Sequence, residues 1–150
     1  MLALNHALFG GIIAVTVRQP ALFVPAAAAS HFVLDVLPHF GNAESFGRYS
    51  KRYYRVIKID GILTIATGIS LLFLWPKMGG IIFLGGFSAV VPDLLWPLAP
   101  KTKPNSLLGK FFRFHKAIQL SESRKGIFFE MVWLGVFISA MISIFLGTSH

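Results

Sequence analysis

Ile127-Phe128-Phe129-Glu130-Met131-Val132-Trp133-Leu134-Gly135-Val136-Phe137-Ile138-Ser139-Ala140-Met141-Ile142-Ser143-Ile144-Phe145-Leu146 is a run of twenty residues with one charge. A helix rising ~1.5 Å per residue covers ~30 Å in that length, the thickness of bilayer hydrocarbon. The stretch therefore predicts a membrane-crossing helix. Working outward, four more apolar segments appear, at about Leu2–Val17, Ala21–Leu37, Val56–Trp75 and Gly79–Leu98. The third, fourth and fifth meet the length requirement. The first two are short and joined by a tight Arg18-Gln19-Pro20 turn. They are expected to span with thinning or snorkelling at their flanks, or else to form a re-entrant hairpin.

Composition agrees. Of 150 residues 55% are hydrophobic and 13% charged, and mean hydropathy is +0.68, against roughly 25% charge in a soluble domain. The expected fold is all-α: a single domain over 1–150, polytopic in the membrane, with about five transmembrane or re-entrant helices. With no cysteine, disulfides and thiolate metal sites are excluded. The first segment lacks a basic leader and a small-residue cleavage site, and Asn5 and His6 interrupt it. It reads as a membrane helix, not as a removed signal peptide.

Charge sets the expected orientation. With the N-terminus on one side, that side holds Arg48, Lys51, Arg52, Arg55, Lys58, Lys101, Lys103, Lys110, Arg113, Lys116, Arg124 and Lys125, and the other only Arg18 and Lys77. Twelve against two is a positive-inside signal, so the N-terminus is expected in the cytoplasm of a protein integral to the cytoplasmic (inner) membrane. The net charge of +8 is then a topology signature that also favours anionic lipid headgroups as partners. No motif for base readout accompanies it, and no nucleic-acid partner is expected. Over Ser106–Leu120, residues Leu107, Leu108, Phe111, Phe112, His115 and Ile118 share one helical face while Lys110, Arg113 and Lys116 occupy another. That is the pattern of a basic amphipathic helix in the cytoplasmic interface.

The chemistry lies in Ser30-His31-Phe32-Val33-Leu34-Asp35-Val36-Leu37-Pro38-His39-Phe40-Gly41. His31 and Asp35, four apart, share a helix face. Pro38 should end the helix just beyond them and leave His39 at its mouth. An imidazole and a carboxylate inside apolar sequence are costly to bury unless partnered, and a divalent metal partners both. The predicted topology puts His6, His31, Asp35, His39, Asp60, Asp93, His115 and Glu130 at one membrane depth on the same side. Bland roles exist for each: a core hydrogen bond for His6, a helix cap for Asp93, an ion pair with Lys58 or Arg55 for Asp60, neutralisation of a helix N-terminus for Glu130. Together the eight read as one metal site. Mixed imidazole and carboxylate donors suit zinc first, with manganese or iron(II) as alternatives, and the surplus of candidates favours a catalytic or two-metal centre.

His6, Ser30-His31-x-x-x-Asp35-x-x-Pro38-His39, Val91-Pro92-Asp93-Leu94 and Phe114-His115 resemble the small inner-membrane proteins known as membrane-bound metal-dependent hydrolases. The His-x-x-x-Asp element is also similar to that of zinc-dependent phospholipase C, where the following His stands farther from the Asp. Relatives often carry a second histidine one turn after the position of His115, where this chain has Gln119. The resemblance implies hydrolysis of a phosphoester or phospholipid-like substrate at the cytoplasmic membrane surface. His6, His31, Asp35, Asp60, Asp93 and His115 are then the candidate metal ligands, and Glu130 or His39 the candidate catalytic base or acid. A metal-ion or proton transporter and a non-catalytic membrane scaffold are the alternatives. A conduit would need polar residues at several depths, and the opposite halves of the segments offer almost none.

Overall fold

The computed structural model describes residues 1–41, 51–119 and 121–148. Arg48 and Leu120, which entered the charge count and the amphipathic stretch, lie outside them. Six α-helices account for most of the described chain: α1 (Ala3–Val17), α2 (Pro20–Val36), α3 (Lys51–Leu74), α4 (Gly79–Leu94), α5 (Leu107–Ile118) and α6 (Ile127–Thr148). Three stretches are long and apolar enough to cross a membrane: Lys51–Leu74, Gly79–Lys101 and Ile127–Gly147. The chain is thus all-helical with the makings of a membrane protein.

At 15 and 17 residues, α1 and α2 measure about 22 and 26 Å at ~1.5 Å per residue, short of a ~30 Å hydrocarbon core. They form a hairpin. Arg18 takes a left-handed conformation (φ 60°) and returns its N–H to Ala14 O, ending α1. Pro20 then opens α2, where its missing N–H costs nothing. α2 stops at Val36, and Leu37 is extended ahead of Pro38, as the steric restriction before proline demands.

Two boundaries differ from the sequence expectation. α3 begins five residues before Val56, because Lys51, Arg52, Tyr53, Tyr54 and Arg55 are competent helix residues that hydropathy alone passes over. The fourth segment leaves α-geometry after Leu94 and continues as a 3₁₀ stretch over Trp96–Lys101, since Pro97 and Pro100 cannot donate to an α-ladder.

α1 lies at the centre, packed by α2, α3, α4 and α6. Its closest approach is to α4 through small residues. A Cβ added at Gly10 would overlap the Gly85 carbonyl, and one at Gly85 would overlap the Gly10 carbonyl. Glycine at both positions lets the backbones touch, the usual device of helices packed in lipid. Apolar clusters flank this contact, with Met1, Leu8, Leu34 and Phe137 at one end and Val15, Trp75, Ile82 and Met141 at the other.

The amphipathic prediction holds for α5 in part. Ser106 caps it by accepting the Gly109 N–H at 3.1 Å, and Gly109, Phe112 and His115 are buried. Leu107, on the predicted apolar face, is exposed, as is Phe114. A two-residue parallel pairing, His39–Phe40 (β1) with Glu122–Ser123 (β2), ties the end of α2 to the start of α6. The indole of Trp133 reinforces it by donating to Pro38 O at 3.3 Å.

A candidate metal centre

Four side chains from three helices converge. α2 supplies His31 and Asp35, α4 supplies Asp93, and α5 supplies His115; one ligand atom from each lies within 4.8 Å of all the others. His31 Nε2 stands 3.0 Å from His115 Nε2, 3.3 Å from Asp35 Oδ2 and 3.5 Å from Asp93 Oδ1. His115 Nε2 stands 2.9 Å from Asp35 Oδ2 and 3.7 Å from Asp93 Oδ1. Donors bonded at ~2.0–2.2 Å to one ion at tetrahedral angles are ~3.3–3.6 Å apart. The five separations, 2.9–3.7 Å, bracket that spacing, and the two-nitrogen, two-oxygen donor set suits zinc, manganese or iron(II).

Tautomers sharpen this. His31 Nδ1–H donates to Ala89 O at 2.8 Å, so in the neutral ring Nε2 carries a bare lone pair. That lone pair lies 3.0 Å from His115 Nε2, whose N–H can donate to it, and close to two carboxylate oxygens, and a cation among the four would be ligated by all of them. A ligating histidine held through its other nitrogen by a backbone carbonyl is the usual outer-shell device of metal sites. His6 plays a different part. Its Nε2–H donates to Asp35 Oδ1 at 3.1 Å, and its ring stacks on that of His31 with centroids 4.0 Å apart. The Met1 amine also meets Asp35 Oδ1. Both donors hold one oxygen of Asp35 and leave the other, Oδ2, for the cluster. Phe32, Trp96 and Phe111 wall His115. His31, Asp35 and His115 are fully buried, while Asp93 is 29% exposed. The cluster therefore has one accessible edge, at the end of α4.

The remaining candidates are placed nearby but employed otherwise. Asp60 accepts Ala3 N–H on Oδ2 at 2.8 Å and Leu4 N–H on Oδ1 at 3.1 Å, capping α1 from a neighbouring helix. Among the described residues no lysine or arginine pairs with it. Glu130 Oε1 accepts the N–H groups of Leu2 and Phe40, each at 3.0 Å. Its Oε2 accepts Asn5 Nδ2 at 2.6 Å. Both acids are thus occupied by otherwise unsatisfied N–H groups at the start of α1, a requirement of every helix N-terminus. His39 Nδ1–H donates to Leu37 O at 2.7 Å, and burial pushes its imidazole below the ordinary histidine range. Asp93 lies in the last turn of α4, its carbonyl accepting the Leu95 N–H, so it is no N-cap.

Three further groups take part; the sequence points to Gln119 as the place of a second histidine and gives no role to Asn5 or Ala89. Asn5 bridges to Glu130, and its place beside His6 in an apolar run was the available signal. Gln119 brings its amide to 3.5 Å from Asp35 Oδ2, where an amide is a weaker donor than imidazole. The Ala89 carbonyl has no side-chain signal at all. No family model, curated protein or solved structure matches the chain.

Proposed function

We propose that this chain is a membrane-embedded, metal-dependent hydrolase acting at the cytoplasmic membrane surface on a phosphoester of a phospholipid-like substrate. The observation that carries the reading is the convergence of two imidazoles and two carboxylates, one ligand atom from each within 4.8 Å of the others, with His31 held through its other nitrogen by the Ala89 carbonyl. His31, Asp35, Asp93 and His115 would hold the ion. When bound, it supplies Lewis acidity and lowers the pKa of water toward neutrality. His6 orients Asp35, and the Ala89 carbonyl orients His31. Asp93, the partly exposed member, marks the side from which a substrate reaches the cluster. The lysines and arginines predicted on that side would attract an anionic headgroup. The resemblance of His31-x-x-x-Asp35 and Phe114-His115 to membrane-bound metal-dependent hydrolases supports the same reading. So does a five-span topology with a cytoplasmic N-terminus, which the twelve-to-two charge split favours.

A second reading is favoured by the donor count. Four protein ligands can complete a closed site, and a closed site is structural; the ion would then staple α2, α4 and α5. One experiment separates the two. Protein in phosphatidylglycerol vesicles is stripped with chelator, reloaded with zinc, manganese or iron(II), and assayed for released headgroup. Hydrolysis that requires reloading and disappears in His31→Ala is the expected result. Stoichiometric metal without turnover would support the staple instead.

A further inference from the structure

On the other side of α1 from the metal cluster lies a cavity of about 210 Å³. Leu2, which precedes α1, and Leu4 within it form its floor, Ile59 and Leu63 of α3 one wall, Met131 and Leu134 of α6 the other. Asn5, Asp60 and Glu130 also border it, yet its accessible surface is apolar throughout. The reason is in the hydrogen bonds above: the carboxylates turn toward the N–H groups of α1, and the Asn5 amide turns toward Glu130. What they leave facing the cavity is hydrocarbon.

The rim is open. Ile59, Leu63 and Met131 are 51%, 48% and 53% exposed, and they belong to two helices long and apolar enough to cross a membrane. The mouth between such helices faces lipid. A carbon-lined space of this size does not hold water, whereas comparable apolar cavities take up hydrocarbon readily. Filling it restores the dispersion contacts its walls otherwise lack. The volume suits part of one chain and is too small for a headgroup with its chains.

The geometry points to a binding site for one acyl chain of a membrane lipid, seated between α3 and α6 on the first turn of α1. It is independent of the proposed hydrolysis, because α1 separates it from the ligands on α2, α4 and α5. Its occupant would brace Leu2 and Leu4, and through them the turn that carries His6.

The test is native mass spectrometry of the full chain released by detergent from vesicles of phosphatidylethanolamine and phosphatidylglycerol. Wild type is expected to retain one phospholipid per chain. Met131→Trp, which fills the mouth from α6, should lower that occupancy at least about tenfold, and Leu63→Trp, filling it from α3, should do so independently. Ile138→Trp, on an exposed position of α6 outside the cavity, should leave the lipid in place. A wild type without retained lipid would overturn the inference, as would equal retention in both filling variants. A dimer in place of a lipid adduct would also overturn it, assigning the mouth to a second copy of the chain.

Discussion

Asp35→Asn distinguishes a metal from a proton at the centre of the cluster. Asp35 Oδ1 receives the His6 Nε2–H and the Met1 amine, and both are donors, so the amide oxygen of the variant must occupy that position. Its NH₂ then falls where Oδ2 was, facing His115 Nε2 at 2.9 Å and His31 Nε2 at 3.3 Å. An amide NH₂ does not ligate a metal, and the charge that balanced the ion is gone. Loss of an outer-shell partner alone costs ~10–100-fold in affinity, so loss of this ligand should cost at least ~100-fold. A site that binding at 100 times Kd had stabilised by ~2.7 kcal/mol would lose that increment. If instead the cluster is metal-free, the new NH₂ donates to a ring nitrogen where Oδ2 had accepted from one, so one hydrogen bond is exchanged for another and metal content does not change. Elemental analysis of purified protein and thermal unfolding with and without chelator read both quantities. Stoichiometric metal retained in Asp35→Asn, or a wild type whose unfolding is indifferent to chelator, would refute the metal assignment.

Asp60→Ala leaves the part-buried Ala3 and Leu4 N–H groups without acceptors; at ~0.5–1.5 kcal/mol for each lost bond, unfolding should shift while bound metal stays, which separates the α1 anchor from the cluster by calorimetry and elemental analysis. His39 is held below its ordinary pKa by burial, so the unfolded chain takes up its proton first as pH falls below ~6.5. Stability should therefore decline from that point downward, by at most ~1.4 kcal/mol per pH unit for this group, and His39→Asn should remove that part of the slope in denaturant titrations. Gly85→Val places a Cβ against the Gly10 backbone and should cost ~1–3 kcal/mol or more. Gly80→Ala, whose Cβ meets nothing within 4 Å, should unfold like wild type in the same assay. A reporter fused to the C-terminus should be active only outside the cytoplasm if five segments cross, and cytoplasmic activity would overturn that topology.

Much of this was legible from one dimension. Hydropathy located all five apolar helices, three of which have the length and composition that crossing a bilayer demands. It set boundaries less well where the rule was local: Lys51–Arg55 are charged yet helical, and Pro97 and Pro100 turn the end of the fourth segment into 3₁₀ geometry. The four-residue spacing of His31 and Asp35 placed both on one face, and Pro38 ended their helix where expected. Spacing within a helix is a short-range property, and sequence reports it directly.

Which of the eight candidates share a centre was decided only by tertiary packing. All eight sit toward one end of the bundle, and nothing in residue type separates an acid that can bind a metal from one that caps a helix. The close contact of Gly10 with Gly85 brings α1 against α4, and the start of α1 then presents N–H groups that must find acceptors. Asp60 and Glu130, on the helices packed beside it, are taken for that purpose. Asp35 and Asp93 meet two imidazoles instead. A carboxylate takes the role of whichever donor reaches it, and that donor comes from elsewhere in the chain.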